Sequence, residues 1–170
     1  MKLSTSQYID KIGNDAVKST KGTNLFPSVL IAQAIIESGN GSSSLAREPY
    51  NNHFGIKATS SWKGSRVEMM TSEFINGKWI KVKQPFRAYP NTVSSLKDRN
   101  KLFNLSRYKK VLTAITPEEQ ATEIHKAGYA TAPTYAASLI TIINRYNLKR
   151  FDEKKREETT CSCCGQSLPS

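Results

Sequence analysis

Apolar side chains recur at helical spacing near the start of the chain. Tyr8, Ile9, Ile12, Ala16 and Val17 share one stripe, with Ser4 or Thr5 placed to cap the helix and Gly22 to end it. This pattern predicts an amphipathic surface helix. A second run, Val29 to Ile36 with only Gln33 polar, is apolar nearly all round. Pro27 fits its first turn and Gly39 stops it, which predicts a helix in the centre of the domain. Small and polar residues dominate 39–62, so that segment is read as surface loop. Strand-like runs over 66–74 and 78–86 flank Asn76-Gly77, a strong hairpin signal and the one place where β-structure is expected. Beyond Pro90, helices are predicted over 92–104, 106–115, 117–127 and 134–147. Thr116-Pro117-Glu118-Glu119 offers a cap, a first-turn proline and a capping-box acid, and Tyr135, Leu139, Ile142, Ile143 and Tyr146 form a buried stripe. The fold class is therefore α+β, mainly α, with a small hairpin lobe.

The 170 residues suffice for one well-packed domain, expected over 1–150, with 151–170 as a flexible charged tail. No apolar run approaches the length of a membrane span, so membrane insertion is not expected. Net charge is +11, and 57–110 alone carries 13 basic residues against three acidic ones. An excess of that size on a folded surface suggests a polyanionic partner, such as nucleic acid, an anionic membrane or a cell-wall polymer. The three cysteines, Cys161, Cys163 and Cys164, all lie in the last ten residues, so no disulfide framework holds the body together. Half of a zinc-ribbon pattern without its second half predicts no metal site, and no cofactor is expected.

Two carboxylates carry the candidate chemistry. Glu37 follows the apolar run at the C-terminal end of the central helix, where desolvation and the negative end of the helix dipole both raise a carboxyl pKa. A glutamate kept protonated near neutral pH is what a general acid needs to hand a proton to a leaving oxygen. The alternative is a helix-end glutamate that points into water. Glu73 shares the alternating face Val67, Met69, Thr71, Glu73, so an apolar strand face ends in a carboxylate. Its alternative role is a cross-strand pair with Lys78 or Lys81. Aromatic residues for stacking on sugar rings are available in Phe54, Trp62, Trp79, Tyr89, Tyr129 and Tyr135, and short amides in Asn51 and Asn52.

Four ordered segments, Ala34-Ile-Ile-Glu37-Ser-Gly-Asn-Gly41, Asn51-Asn-His-Phe-Gly-Ile-Lys57, Thr71-Ser-Glu73 with Phe86-Arg-Ala-Tyr89, and Gly128-Tyr-Ala-Thr-Ala-Pro-Thr-Tyr-Ala136, together resemble family 73 of the glycoside hydrolases. These are bacterial N-acetylglucosaminidases. The resemblance implies a lysozyme-like domain that cleaves the β-1,4 bond on the reducing side of N-acetylglucosamine in peptidoglycan. It implies Glu37 as general acid and Glu73 as second carboxylate, with Asn52, Phe54, Gly55, Tyr89, Tyr129 and Tyr135 binding substrate. The chain departs from the family pattern at Ala132, where an aspartate is common; Thr131 is then the expected cap for a helix begun by Pro133.

The spacing of the carboxylates would separate a retaining from an inverting route, and attack by the substrate's own 2-acetamido group is a third. Rival readings are a lytic transglycosylase on the same scaffold, a non-catalytic wall-binding module, and a nucleic-acid binder, whose known motifs are missing. A monomer acting on peptidoglycan glycan strands is expected. With no signal peptide legible, release through a holin or a secretion system is the expected route, unless the chain is a trimmed secreted domain.

Overall fold

The structure is a computed structural model and describes residues 2–163. Helix α1 (Thr5–Thr20) opens with a reciprocal capping box between Ser4 and Gln7, and it buries Tyr8, Ile9, Ile12, Ala16 and Val17. Helix α2 (Pro27–Ser38) is the hub: Val29, Leu30, Ile31, Ala32 and Ala34 have no solvent exposure. Each large aliphatic side chain buried this way contributes about 1.5–3 kcal/mol. Around α2 pack α1, α4 (Pro117–Lys126), α5 (Tyr135–Arg145) and α6 (Lys149–Cys163), while α3 (Thr92–Lys101) packs on α1. Two stretches of tighter 3-10 helix, Leu102–Asn104 and Ser106–Thr113, occupy most of the span expected as ordinary helix after α3.

Strands β1 (Arg66–Ile75) and β2 (Lys78–Arg87) pair antiparallel from Arg66 opposite Arg87 to Ile75 opposite Lys78. Asn76 and Gly77 both take positive φ, as the mirror-image turn of a tight hairpin requires. A two-stranded sheet is marginal by itself, and this one is anchored at its base. Arg87 donates its N–H to Ile56 O at 2.9 Å, Ala58 to Pro85 O at 2.9 Å, and the Arg87 guanidinium pairs with Asp98 at 2.6 Å. The base is fixed to the helical body, and the tip projects.

The expected boundary at residue 150 needs correction, because helix continues through Cys163 and its first turns are part of the core packing. Phe151 lies over Gly13, where any Cβ would overlap the phenyl ring, so glycine on α1 is what lets α6 approach. Asp152 is buried and accepts from Ser28 N at 2.9 Å and from Ser28 Oγ at 2.7 Å. Phe26, the N-cap of α2, has no side chain able to cap, so a residue far along the chain satisfies the orphan N–H of the central helix. Lys155 adds bonds of 2.7 Å to the carbonyls of Thr23 and Leu25. Asp152→Ala is expected to lower stability by about 2 kcal/mol, since it removes two bonds and leaves a buried donor. Denaturant unfolding checks this, and an unchanged midpoint would refute it. The cysteine motif at 161–165 lies outside the residues whose side chains are described.

Candidate active site

Glu37 is the penultimate residue of α2. Gly39 ends the helix in the left-handed conformation at φ 56°, turning the chain away so that the glutamate is open to solvent. It faces a groove of about 650 Å³ that is also lined by Phe54, Arg107, Tyr108, Tyr129 and Tyr135. Burial by these walls raises the Glu37 pKa above the ordinary carboxylate value, opposed by a hydrogen bond from Tyr135 and by the positive charge of Arg99. The Tyr135 hydroxyl donates to Glu37 Oε1 at 3.2 Å and accepts from Gln33 Nε2 at 2.8 Å. The one polar residue in the apolar run of α2 thus holds the phenol that holds the acid.

Tyr129 and Tyr135 are stacked, with ring centroids 5.9 Å apart and planes 24° apart, and Phe103 extends the stack behind Tyr129 at 6.3 Å. Burial pushes both phenol pKa values well above normal, so both hydroxyls are neutral donors at physiological pH. Tyr135 is the first residue of α5, and Thr134 at the N-cap makes no side-chain capping bond. The expected capping by Thr131 is therefore corrected. The backbone closes the turn instead, through Tyr135 N to Ala132 O at 3.1 Å, and this bond does not require an aspartate at 132.

Arg99 carries no signal in the sequence, where it reads as one more member of a basic stretch. It is fully buried, with its guanidinium 4.3 Å from the Phe103 ring and 5.9 Å from Phe54. Nη1 donates to Asn100 Oδ1 at 3.0 Å, while Nε and Nη2 have no hydrogen-bond partner among the described residues. Desolvation lowers its pKa to about 10, which still leaves a cation, and its charge acts on Glu37, Tyr129 and Tyr135.

A second network, hidden beneath Glu37, fixes the loop that follows it. Tyr8 Oη lies 2.7 Å from His53 Nδ1, Ser38 Oγ donates to Tyr8 Oη at 3.1 Å, and Gly41 N donates to Ser38 Oγ at 2.7 Å. His53, which interrupts the Asn-Phe-Gly motif, thereby joins α1, the end of α2 and the loop.

The remaining predicted residues fall outside the groove. Glu73 lies on the face shared with Val67, Met69 and Thr71, as alternation required, but pairs with Lys57 at 2.7 Å rather than with Lys78 or Lys81. It does not line the groove that contains Glu37. Asn52 and Tyr89, expected to meet substrate, are framework residues. Asn52 is buried, with its amide bonded to Ile56 O, Arg87 O and Ile56 N at 2.8–3.0 Å. Tyr89 is buried and donates to Asp98 at 2.7 Å. Gly55 is exposed at φ 61° in the turn that Asn52 closes, and does not line the groove. Trp62 packs edge-on against Tyr89 with the Arg87 guanidinium 4.4 Å from its ring, and Trp79 sits on the exposed hairpin tip. The aromatic side chains gathered at Glu37 are Phe54, Tyr108, Tyr129 and Tyr135.

The chain is similar to known proteins in both sequence and fold. The family model described as mannosyl-glycoprotein endo-beta-N-acetylglucosaminidase matches residues 13–148. A probable N-acetylmuramidase of Lactococcus lactis is 42% identical over 156 residues, which is 88% of this chain and 35% of that protein. The peptidoglycan hydrolase FlgJ of Salmonella typhimurium is 43% identical over 130 residues, 74% of this chain and 40% of that protein. The chain thus spans about a third of the length of the curated relatives it matches. Among solved structures, the catalytic domain of the autolysin Auto from Listeria monocytogenes superposes with a TM-score of 0.80 at 38% identity, covering 87% of both chains. The glycoside hydrolase domain of the same FlgJ gives 0.73 at 36% identity, covering 85% of this chain and 98% of that one. With 13–148 matched and the fold shared, the chain belongs to the glucosaminidase family, family 73 of the glycoside hydrolases.

Proposed function

We propose that the chain is an endo-β-N-acetylglucosaminidase that hydrolyses peptidoglycan at the β-1,4 bond on the reducing side of N-acetylglucosamine, with Glu37 as the general acid. The observation that carries this reading is a single carboxyl group with a raised pKa, open in an aromatic groove and held by a neutral phenol. Relatives named as an autolysin of Enterococcus faecalis and an exo-glucosaminidase of Bacillus subtilis support it. All the groups invoked lie on one chain, so the reading needs no second subunit.

Among the described residues Glu37 is the one carboxylate in the groove, and this favours a route in which the substrate supplies its own nucleophile. Glu37 gives its proton to the glycosidic oxygen as that oxygen leaves C1. The carbonyl oxygen of the 2-acetamido group closes on C1, giving a bicyclic cation. Water then attacks C1, the ring reopens, and the Glu37 carboxylate takes the proton back. Tyr135 satisfies the carboxylate between steps through its hydrogen bond to Glu37, and Tyr129, stacked on Tyr135, is the neutral donor that this route assigns to the acetamido group. In this route Glu73 forms no bond to the sugar and stays on the hairpin, held by Lys57.

Release of soluble fragments from purified peptidoglycan tests the activity, and wild-type protein that releases none contradicts it. Glu73→Gln is expected to slow release by about 10–100-fold, less than loss of the acid itself. A loss as large as that of a Glu37 variant would make Glu73 the nucleophile or base and exclude the substrate-assisted route.

A further inference from the structure

The hairpin presents two unlike faces. One carries Val67, Met69, Thr71 and Glu73 and is half-buried. The other pairs Met70 with Lys83, Ser72 with Lys81, and Phe74 with Trp79, and it is open to solvent from these pairs to the tip. Phe74 is 62% exposed, Trp79 72% and Met70 61%, although each has the bulk of a core residue. The Phe74 and Trp79 rings lie 5.4 Å apart at 54°, forming a two-ring platform at the tip. On the same face, Lys81 has no carboxylate within ion-pair distance among the described residues, while Lys83 pairs with Glu68 at 2.6 Å. None of these residues lines the groove of Glu37.

Exposed large apolar side chains grouped in this way mark an interaction site, because leaving them in water lowers stability and solubility. Their partner has to offer apolar faces of ring size, polar rims and negative charge. A pyranose ring meets the first two needs by laying its C–H face on an indole or phenyl ring with hydroxyls at the edge. The carboxylates of wall stem peptides and lactyl groups meet the third, opposite Lys81. A hydrocarbon membrane core fits poorly, since Lys81 and Lys83 alternate with the apolar side chains and would be drawn in with them.

We propose that the outer face of the hairpin, centred on Phe74, Trp79 and Lys81, is a second glycan-binding surface. It holds a strand of peptidoglycan other than the one in the Glu37 groove, and so keeps the enzyme on the insoluble wall between cleavages. The proposal rests on peptidoglycan being the substrate and adds a surface outside the reacting site.

The test measures co-sedimentation with purified, teichoic-acid-free peptidoglycan for wild type, Phe74→Ala/Trp79→Ala and Lys81→Gln, beside hydrolysis of a short soluble muropeptide. Wall affinity is expected to fall about tenfold or more in the aromatic double variant and several-fold in the lysine variant. Turnover of the soluble fragment should stay within about twofold of wild type, because the groove is untouched. Unchanged wall binding in the double variant overturns the proposal, as does an equal loss of soluble turnover. Binding of wild type to phosphatidylglycerol vesicles that depends on Trp79, with wall binding that does not, assigns the surface to lipid and also overturns it. Wall binding that depends on Trp79 in a protein that cleaves nothing would leave this surface standing and remove the proposed activity instead.

Discussion

Glu37→Gln is expected to reduce peptidoglycan hydrolysis by at least about 10³-fold while leaving the fold intact. The amide matches the carboxyl in shape and can still accept from Tyr135, but it has no acidic proton to give a leaving alkoxide. The penalty is large because nothing else in the groove is a proton donor of suitable strength: the two phenols are pushed further from acidity by burial, and Arg107 is a permanent cation. The pH profile carries the same signature. A general acid works while protonated, so activity should fall as pH rises through the Glu37 pKa, which lies above that of an ordinary glutamate. Arg99 opposes part of this rise, so its replacement by methionine should move the alkaline limb further up. A Glu37→Gln protein that cleared walls at the wild-type rate would remove the acid from the mechanism.

Acid should destabilise the protein through His53. Burial, helped by the nearby charge of Lys11, lowers its pKa to about 4, against about 6.5 in an unfolded chain. Between these values the unfolded state binds a proton that the native state refuses. The stability contributed by neutral His53 is therefore complete above about pH 6.5 and is lost as pH falls towards 4. The full difference is about 3 kcal/mol. The geometry explains the refusal. Among the described residues the ring nitrogens meet hydroxyls, with Tyr8 Oη 2.7 Å from Nδ1, so no carboxylate offsets the cost of burying an imidazolium. Thr92 Oγ1, 3.4 Å from Nε2, is the other neighbour of the ring. Urea unfolding at pH 7 and pH 4.5 should show this loss in wild type and a clearly smaller one in His53→Gln. Equal losses in the two proteins would mean that His53 does not carry the effect.

Local pattern decided much of the fold. An apolar run interrupted only by Gln33 reads as a buried helix or strand, and Pro27 and Gly39 fixed α2 as the former. Asn76-Gly77 specified a turn whose two positive φ angles few other residue pairs tolerate. Glu37 was legible for a similar reason: a carboxylate ending an apolar helix is costly enough to demand an explanation. What stayed hidden depends on partners distant in sequence. The first turns of α6 are rich in charge and read as solvated, yet Asp152 is buried because the N-terminus of α2, 124 residues earlier, lacks a capping side chain. Asn52 and Tyr89 look like sugar-binding side chains until their amide and hydroxyl prove to be taken by Arg87 O and Asp98. Arg99 gives no local signal, because nothing in its neighbours along the chain shows that Phe54 and Phe103 will enclose it.

The new chain ends left by digestion test the central claim most directly. Purified peptidoglycan is digested in heavy-oxygen water and the fragments are read by mass spectrometry. N-acetylglucosamine at the new reducing ends, carrying one solvent oxygen, is the predicted result. N-acetylmuramic acid at those ends, or anhydro-muramic ends with no solvent oxygen, would contradict it.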